Sequence, residues 1–268
     1  MSVEKRNHVK VLGSGSTTLV FSHGFGCDQN MWRFLAPRYA ARFRIVTFDL
    51  VGAGRSDLSA YDPAKYDRLS GYADDLLEIV DAFADEPVVY VGHSVSAMIG
   101  LLAGIRAPER FAGHVMIGPS PCYINDGDYV GGFSRADIDS LLDTLDSNYL
   151  GWSSSMAPAI MGAPDRPELG IELTASFCRT DPNIARQFAH VTFLSDNRAD
   201  VPRLTAPTLV IQSSDDLIAP LAVGEYLQRR LPDCMLRVVE NVGHCPHMSA
   251  PSASTSAIDE FLATLGHP

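Results

Sequence analysis

The 268-residue chain has little positive charge and no long apolar run. Lys and Arg number 21 against 32 Asp and Glu, which gives a formal net charge of −11. No basic cluster interrupts this acidic background, so nucleic acid is not an expected partner. No run of about 18 apolar residues occurs, so the sequence predicts no membrane-spanning helix. The negative charge also disfavours binding to anionic membranes.

Motifs typical of metal, nucleotide and secreted proteins are missing as well. There is no C-x-x-C or H-E-x-x-H spacing, and no G-x-G-x-x-G or Walker-type loop follows a predicted strand. No metal and no cofactor is therefore expected. The N-terminal segment has no apolar stretch of signal-peptide length. The five cysteines are scattered and odd in number, as in reduced proteins, so we expect a cytoplasmic location. They are Cys27, Cys122, Cys178, Cys234 and Cys245.

The most informative segment that is present spans residues 88–100, VVYVGHSVSAMIG. An apolar run typical of a strand ends at Gly92, Ser94 follows, and a small, apolar helical pattern begins at once. This is the layout of a nucleophile elbow, in which a sharp turn exposes a serine hydroxyl at the top of a sheet. Ser96 replaces the second glycine of the usual G-x-S-x-G. Taken alone, the segment is also compatible with an ordinary strand, turn and helix.

Two later segments supply an acid and a base in the chain order Ser, acid, His that this elbow requires. Residues 208–220, TLVIQSSDDLIAP, form a predicted strand followed by two aspartates. Residues 236–248, LRVVENVGHCPHM, form a predicted strand followed by two histidines. Open α/β sheets carry their chemistry beyond the carboxyl ends of the strands. Both segments are therefore predicted to meet the serine turn.

One aspartate and one histidine are favoured, and their neighbours stay as alternatives. Asp216 is preferred to Asp215 because it sits deeper in the loop. His244 is preferred to His247 because the preceding Gly243 permits a close approach of the backbone. In this arrangement the histidine moves the proton, and the aspartate holds its tautomer and stabilises its charged form.

An earlier segment, residues 18–26 (TLVFSHGFG), is a predicted strand that ends in a glycine-containing loop. In elbow-containing folds, the loop after this strand supplies one oxyanion N–H and the residue after the nucleophile supplies the other. The backbone N–H groups of Phe25 and Val95 are the predicted donors. His23 and His93, which stand beside these turns, are predicted to form structural hydrogen bonds rather than to act as the base.

Alternating strand and helix patterns predict an α/β fold with a mainly parallel, doubly wound sheet. Residues 122–200 contain helical patterns but no convincing strand. We therefore predict an α/β-hydrolase core over 1–121 and 201–268, with a four-helix lid over 122–200 placed above the serine. The predicted strands are 18–22, 44–50, 87–92, 114–118, 208–213 and 236–240, and the last predicted helix is 252–265.

Five segments together resemble one subfamily of α/β-hydrolases. This subfamily contains the bacterial stress-response hydrolase RsbQ and the plant strigolactone and karrikin receptors. The resemblance runs from about residue 7 to the C-terminus and includes the lid. The segments are HGFGCDQNMW (23–32), VGAGRSD (51–57), GHSVSAMIG (92–100), GPSPCYIND (118–126) and GHCPHM (243–248).

The resemblance implies a triad of Ser94, Asp216 and His244 and oxyanion donors at Phe25 and Val95. It implies cleavage of a small hydrophobic ester or lactone, such as a butenolide. The alternative that it implies is a slow-turnover sensor that recruits a signalling partner such as a phosphatase. Other Ser-triad members of the fold, which cleave carbon–carbon bonds or act as haloperoxidases, share these motifs. The pocket aromatics that it implies are Phe25, Tyr123, Phe133, Trp152 and Phe193.

Overall fold

A computed structural model describes residues 1–267 and places one seven-stranded sheet at the centre of the chain. The strand order is β1-β3-β2-β4-β5-β6-β7. β1 runs antiparallel to β3, and every other neighbouring pair is parallel. The predicted α/β-hydrolase fold with a mainly parallel sheet is therefore confirmed. The strands are β1 (Lys10–Leu12), β2 (Thr18–Ser22), β3 (Arg44–Phe48), β4 (Val88–His93), β5 (Phe111–Ile117), β6 (Thr208–Asp215) and β7 (Cys234–Val242).

Helices connect the strands and contribute most of the remaining regular structure. Within residues 1–267, no helix combines the length and apolar character needed to cross a membrane. Short 3-10 helices occur at Gln29–Phe34, Leu58–Ala60, Pro108–Arg110 and Val201–Arg203. The α-helices are α1 (Val3–Arg6), α2 (Ala36–Tyr39), α3 (Leu69–Phe83), α4 (Val95–Arg106), α5 (Arg135–Ser147), α6 (Tyr149–Met161), α7 (Pro167–Arg179), α8 (Pro182–Phe193), α9 (Leu221–Arg230), α10 (Pro246–Ser249) and α11 (Pro251–Thr264).

The central strands are the most reliably predicted elements because they are buried along their whole length. Every residue of β2 and β4 is buried, as expected of parallel strands covered on both faces. β1 is the strand that the sequence analysis did not predict. Its three residues are all exposed and lie at the sheet edge. A three-residue exposed strand carries no hydrophobic periodicity, so its place depends on pairing with β3.

Four consecutive helices, α5 to α8, lie between β5 and β6 in the chain. α5 begins with a capping box between Ser134 and Asp137, which satisfies otherwise free N–H groups. α8 begins with Asp181 as its cap and Pro182 in its first turn. α6 packs on α7 and on α5, and α5 packs on α8. These helices form a layer whose inner side chains reach the region of Ser94.

Candidate active site

Ser94 occupies a sharp turn between β4 and α4. Its backbone has φ 56° and ψ −124°, a conformation that costs a non-glycine residue about 1–3 kcal/mol. A hydrogen bond ties the turn to the end of β5, because the Ser94 N–H donates to the carbonyl of Ile117 at 2.8 Å. The side chain therefore projects from the strand end at the start of a helix, as the elbow pattern predicts.

His244 connects Ser94 to Asp216 through its two ring nitrogens. Its Nε2 lies 2.8 Å from Ser94 Oγ, and its Nδ1 lies 2.7 Å from Asp216 Oδ2. Because the carboxylate can only accept, Nδ1 carries a proton and Nε2 is free to accept the serine hydroxyl proton. All three residues are buried. The structure thus brings together the three side chains that the sequence analysis favoured.

Asp216 is anchored by backbone groups as well as by His244. Its Oδ1 accepts from the N–H groups of Ile218 at 2.8 Å and Ala219 at 3.1 Å. Burial, the largest single influence, works to raise the pKa of Asp216, but His244 and the two amides outweigh it. The pKa therefore lies below its ordinary value of 3.8, and the residue is a carboxylate at neutral pH. The neighbouring Asp215 is exposed and does not contact the histidine ring.

The His244 loop is fixed through its backbone. The His244 N–H donates to the carbonyl of Ile160 in α6 at 2.8 Å. Gly243 has φ +110°, and a Cβ there would collide with the carbonyl of Met161. This close approach is the role that the sequence analysis predicted for the glycine. His247 is buried elsewhere, with its ring centroid 4.8 Å from that of Trp32.

His93, Cys245 and His247 form a buried group of residue types that can bind metals, with ligand atoms within 4.8 Å of one another. The His93 nitrogen that lies 4.0 Å from Cys245 Sγ, Nε2, is already engaged in a hydrogen bond. This Nε2 lies 2.9 Å from the carbonyl oxygen of His244, so Nε2 must carry a proton and donate. The Nδ1 of His93 lies against Gly24, where a Cβ would stand only 2.5 Å away. Burial, with His244 adding to it, lowers the pKa of His93 to about 3, so the ring is neutral.

A small, mainly apolar cavity of about 30 Å³ lies above Ser94 and His244. Three of the predicted pocket aromatics, Phe25, Tyr123 and Phe193, line it. Burial raises the pKa of Tyr123 to about 12, so its hydroxyl stays protonated in this cavity. The apolar lining favours a molecule with few polar atoms. Its other lining residues are Cys27, His93, Ile160, Leu173, Phe177, Thr192, Ile218 and Cys245.

The other two predicted pocket aromatics, Phe133 and Trp152, do not line this cavity. Both face a separate surface groove between α5 and α6. Trp152 stacks on Phe177, with ring planes 9° apart, and the Phe177 ring faces the cavity in its place. Phe177 and Leu173 line the cavity but were not among the predicted pocket residues. Their four-residue spacing on α7 was the available signal, but a helical stripe does not say which neighbour it faces.

Two backbone N–H groups near Ser94, those of Phe25 and Val95, have no protein acceptor within the described residues. Val95 is the first residue of α4, and the first N–H groups of a helix have no intrahelical partner. Within residues 1–267, no protein acceptor is paired with the Phe25 N–H. Phe25 lines the same cavity as Ser94. These two N–H groups are the ones predicted from the sequence, and oxyanion binding by them stays a prediction.

Comparison with known proteins shows that the chain is similar to hydrolases and receptors of one fold. Residues 19–257 match the alpha/beta hydrolase family. The chain is 40% identical to Karrikin insensitive 2 receptor CA of Petunia hybrida, over 93% of both chains. It is 39% identical to Strigolactone esterase D14 of Arabidopsis thaliana, over 91% of this chain and 92% of that one. The structure of olei00960, a hydrolase from Oleispira antarctica, superposes with a TM-score of 0.94 at 42% identity, covering 97% of this chain and 96% of that one.

Proposed function

We propose that this chain, which belongs to the alpha/beta hydrolase family, is a serine hydrolase that opens a small apolar ester or lactone. Within the family it is a hydrolase of the type that includes the karrikin receptors and strigolactone esterases. The observation that carries the proposal is the continuous hydrogen-bonded chain from Ser94 through His244 to Asp216 at the floor of an apolar cavity. A butenolide-type lactone is the proposed substrate class, because the named relatives include a strigolactone esterase.

In the first step, Ser94 Oγ attacks the substrate carbonyl carbon while His244 Nε2 takes the hydroxyl proton. The carbonyl oxygen becomes an oxyanion and is bound by the N–H groups of Phe25 and Val95. Asp216 stabilises the imidazolium that forms. Its carboxylate accepts three hydrogen bonds and therefore holds the ring while the charge develops.

In the second step, the carbon–oxygen bond of the ester breaks and His244 returns its proton to the leaving oxygen. For a lactone, this oxygen remains attached to the acyl group bound to Ser94. A water molecule then attacks the acyl carbon while His244 takes one of its protons. Collapse of that intermediate returns the proton to Ser94 and releases the carboxylic acid.

The charged residues of the lid support a neutral substrate. Arg166 donates to the carbonyl of Ser249, Arg179 pairs with Asp28 at 3.2 Å, and Arg186 lies 3.2 Å from Asn183. None of the three arginines lines the cavity. A substrate carboxylate would therefore find no cationic partner there.

The experiment that tests the proposal is hydrolysis of a small butenolide lactone and of p-nitrophenyl acetate by the wild type and by Ser94→Ala. Loss of the nucleophile is expected to lower kcat by about 10³-fold or more. Equal rates for the two proteins would overturn the proposal. Lactone binding without Ser94-dependent cleavage would instead favour a receptor.

A ligand sensor is the second candidate, because a relative 40% identical is named a receptor. In this function the same triad turns over a signal slowly, and the lid then recruits a partner protein such as a phosphatase. Single-turnover and steady-state rates distinguish the two candidates. An enzyme releases product repeatedly, whereas a sensor shows one fast acylation followed by much slower turnover.

A further inference from the structure

The ring of His23, which takes no part in the proposed proton transfer, is held by two hydrogen bonds that fix its tautomer. Nε2 lies 3.0 Å from the backbone nitrogen of Leu50, and Nδ1 lies 2.9 Å from the carbonyl oxygen of Gly24. An N–H can only donate and a carbonyl can only accept. Nε2 therefore accepts from Leu50, and Nδ1 carries the proton and donates to Gly24. The ring is completely buried.

The Gly24 carbonyl belongs to the same peptide group as the Phe25 N–H. No peptide bond within the described residues is cis, so this C=O and this N–H point in opposite directions. The carbonyl is held on one side by His23 Nδ1 and by the N–H of Cys27 at 3.3 Å. Fixing the carbonyl end of a planar group also fixes the direction of its N–H end.

A further hydrogen bond holds the backbone of His23. The Ser96 hydroxyl donates to the His23 carbonyl oxygen at 2.5 Å and accepts from the Ser22 hydroxyl at 2.9 Å. Both serines are fully buried. Glycine at position 96, as in the usual elbow pattern, would provide no such hydroxyl. Serine in place of glycine at position 96 therefore links α4 to the end of β2, just before the loop that contains Phe25.

The loop has little freedom to adopt another conformation. A Cβ on Gly24 would lie 3.2 Å from the Cβ of Ser94 and 2.5 Å from His93 Nδ1. The backbone of Gly24 therefore packs directly on the nucleophile turn. A rotation of its peptide group would swing the Phe25 N–H away without moving the triad.

We propose that His23 is a positioning residue for oxyanion binding, because its Nδ1–H orients the peptide group whose N–H binds the oxyanion. The inference rests on the proposed serine hydrolase function. His23 touches neither the substrate nor Ser94 and acts through the Gly24–Phe25 peptide. Its loss should lower kcat rather than raise KM, since the oxyanion forms only in the transition state.

Two matched variants separate this role from general stability. In His23→Asn the side-chain amide nitrogen lies where Nδ1 was. This variant keeps a donor for the Gly24 carbonyl and loses the acceptor for the Leu50 N–H. In His23→Gln the side-chain amide oxygen lies where Nε2 was, so this variant keeps the acceptor for Leu50 and loses the donor for Gly24. Each variant loses one buried hydrogen bond to a backbone group, and the Gly24 carbonyl keeps the N–H of Cys27 as a donor in both. A merely structural role would lower the unfolding free energy without a loss of kcat confined to His23→Gln.

The readout is the steady-state hydrolysis of p-nitrophenyl acetate, with urea unfolding of each variant as a control. We expect His23→Gln to lose about 10- to 100-fold in kcat at nearly unchanged KM. His23→Asn should retain most of the wild-type kcat. Equal kcat losses in the two variants, or a loss confined to KM, would overturn the inference. If the wild type itself shows no Ser94-dependent hydrolysis, the proposed function fails instead.

A measurement on the wild type does not depend on variant folding. Nitrogen-15 spectra of the histidine rings distinguish a protonated from an unprotonated ring nitrogen. The inference requires a neutral His23 with its proton on Nδ1 at neutral pH. A proton on Nε2, alone or together with Nδ1, would contradict it.

Discussion

The carbonyl oxygen of His244 lies 2.9 Å from Nε2 of His93, the residue directly before Ser94. The nucleophile turn and the histidine loop are therefore joined twice: by this bond and by the contact between His244 and Ser94 at 2.8 Å. The two segments are 150 residues apart in sequence. A neutral His93 supplies the donor that holds the backbone of the proposed base.

Substitution of His93 tests this connection. His93→Leu leaves a buried carbonyl without a donor, which we expect to cost about 1–3 kcal/mol of unfolding free energy. It should also lower kcat by about tenfold, because His244 is less well oriented. His93→Gln, which keeps a donor at the same reach, should recover most of both losses. Urea unfolding and ester hydrolysis measure the two effects, and equal damage from both variants would contradict the assignment.

The two adjacent aspartates are expected to differ sharply. Asp216→Asn removes the carboxylate that accepts from His244 Nδ1 and should lower kcat by about 10³–10⁴-fold with little change in KM. Asp215→Asn is the matched control, because its side chain is exposed and does not contact the histidine ring. It should keep wild-type kinetics. A comparable loss in both variants would show that general acidity near the loop, not the contact with His244, matters.

The backbone strain at Ser94 predicts an unusual order of stability. Its φ of 56° is accessible to glycine but costly for alanine. We expect Ser94→Gly to be more stable than Ser94→Ala by about 1 kcal/mol, although glycine is usually the more destabilising substitution. Both variants should be inactive. Urea unfolding gives the difference, and a more stable alanine variant would show that the turn relaxes when the side chain is removed.

The placement of the aromatic residues predicts where substrate selectivity resides. Phe193→Leu removes bulk from the cavity and should raise the preference for p-nitrophenyl butyrate over acetate by about three- to tenfold. Phe133→Leu is the same chemical change in the separate groove and should leave that ratio of kcat/KM unchanged. A shift in the ratio for Phe133→Leu would indicate that substrate extends into the groove.

Acid stability should depend on buried neutral histidines. Burial lowers the pKa of His114 from 6.5 to about 3, and neither ring nitrogen has a hydrogen-bond partner within the described residues. Between these pH values the unfolded chain binds a proton that the folded protein does not. The stability contributed by the neutral ring is therefore complete above pH 6.5 and is lost as the pH falls toward 3.

Removal of the His114 ring tests this linkage. When the pH is lowered from 6 to 5, the unfolding free energy of His114→Leu should fall by about 1 kcal/mol less than that of the wild type. His93 adds to the same effect in both proteins, since its pKa is also lowered to about 3. Urea unfolding at a series of pH values measures the slopes. Parallel curves for the two proteins would mean that His114 does not titrate differently on folding.

Much of the fold and of the candidate site follows from local sequence signals. The buried strands have unbroken apolar runs, and the segment around Ser94 has the composition of a strand, a tight turn and a helix. Because parallel strands end at one edge of a sheet, residues just beyond those ends meet in space. This is why Ser94, Asp216 and His244 could be selected before any coordinates, and why the structure brings their side chains within hydrogen-bond distance.

Other features depend on contacts between segments distant in the chain, and the sequence of neither segment indicates that the two will pack together. The apolar stripes of residues 122–200 predict helices, but the tertiary packing decides that Phe177 faces the cavity and Trp152 stacks behind it. The exposed β1 exists only through its pairing with β3. The roles of the buried histidines arise in the same way. The hydrogen-bond partner of a buried ring nitrogen can be a backbone group far away in sequence, as the His244 carbonyl is for Nε2 of His93. No local sequence pattern predicts such a contact.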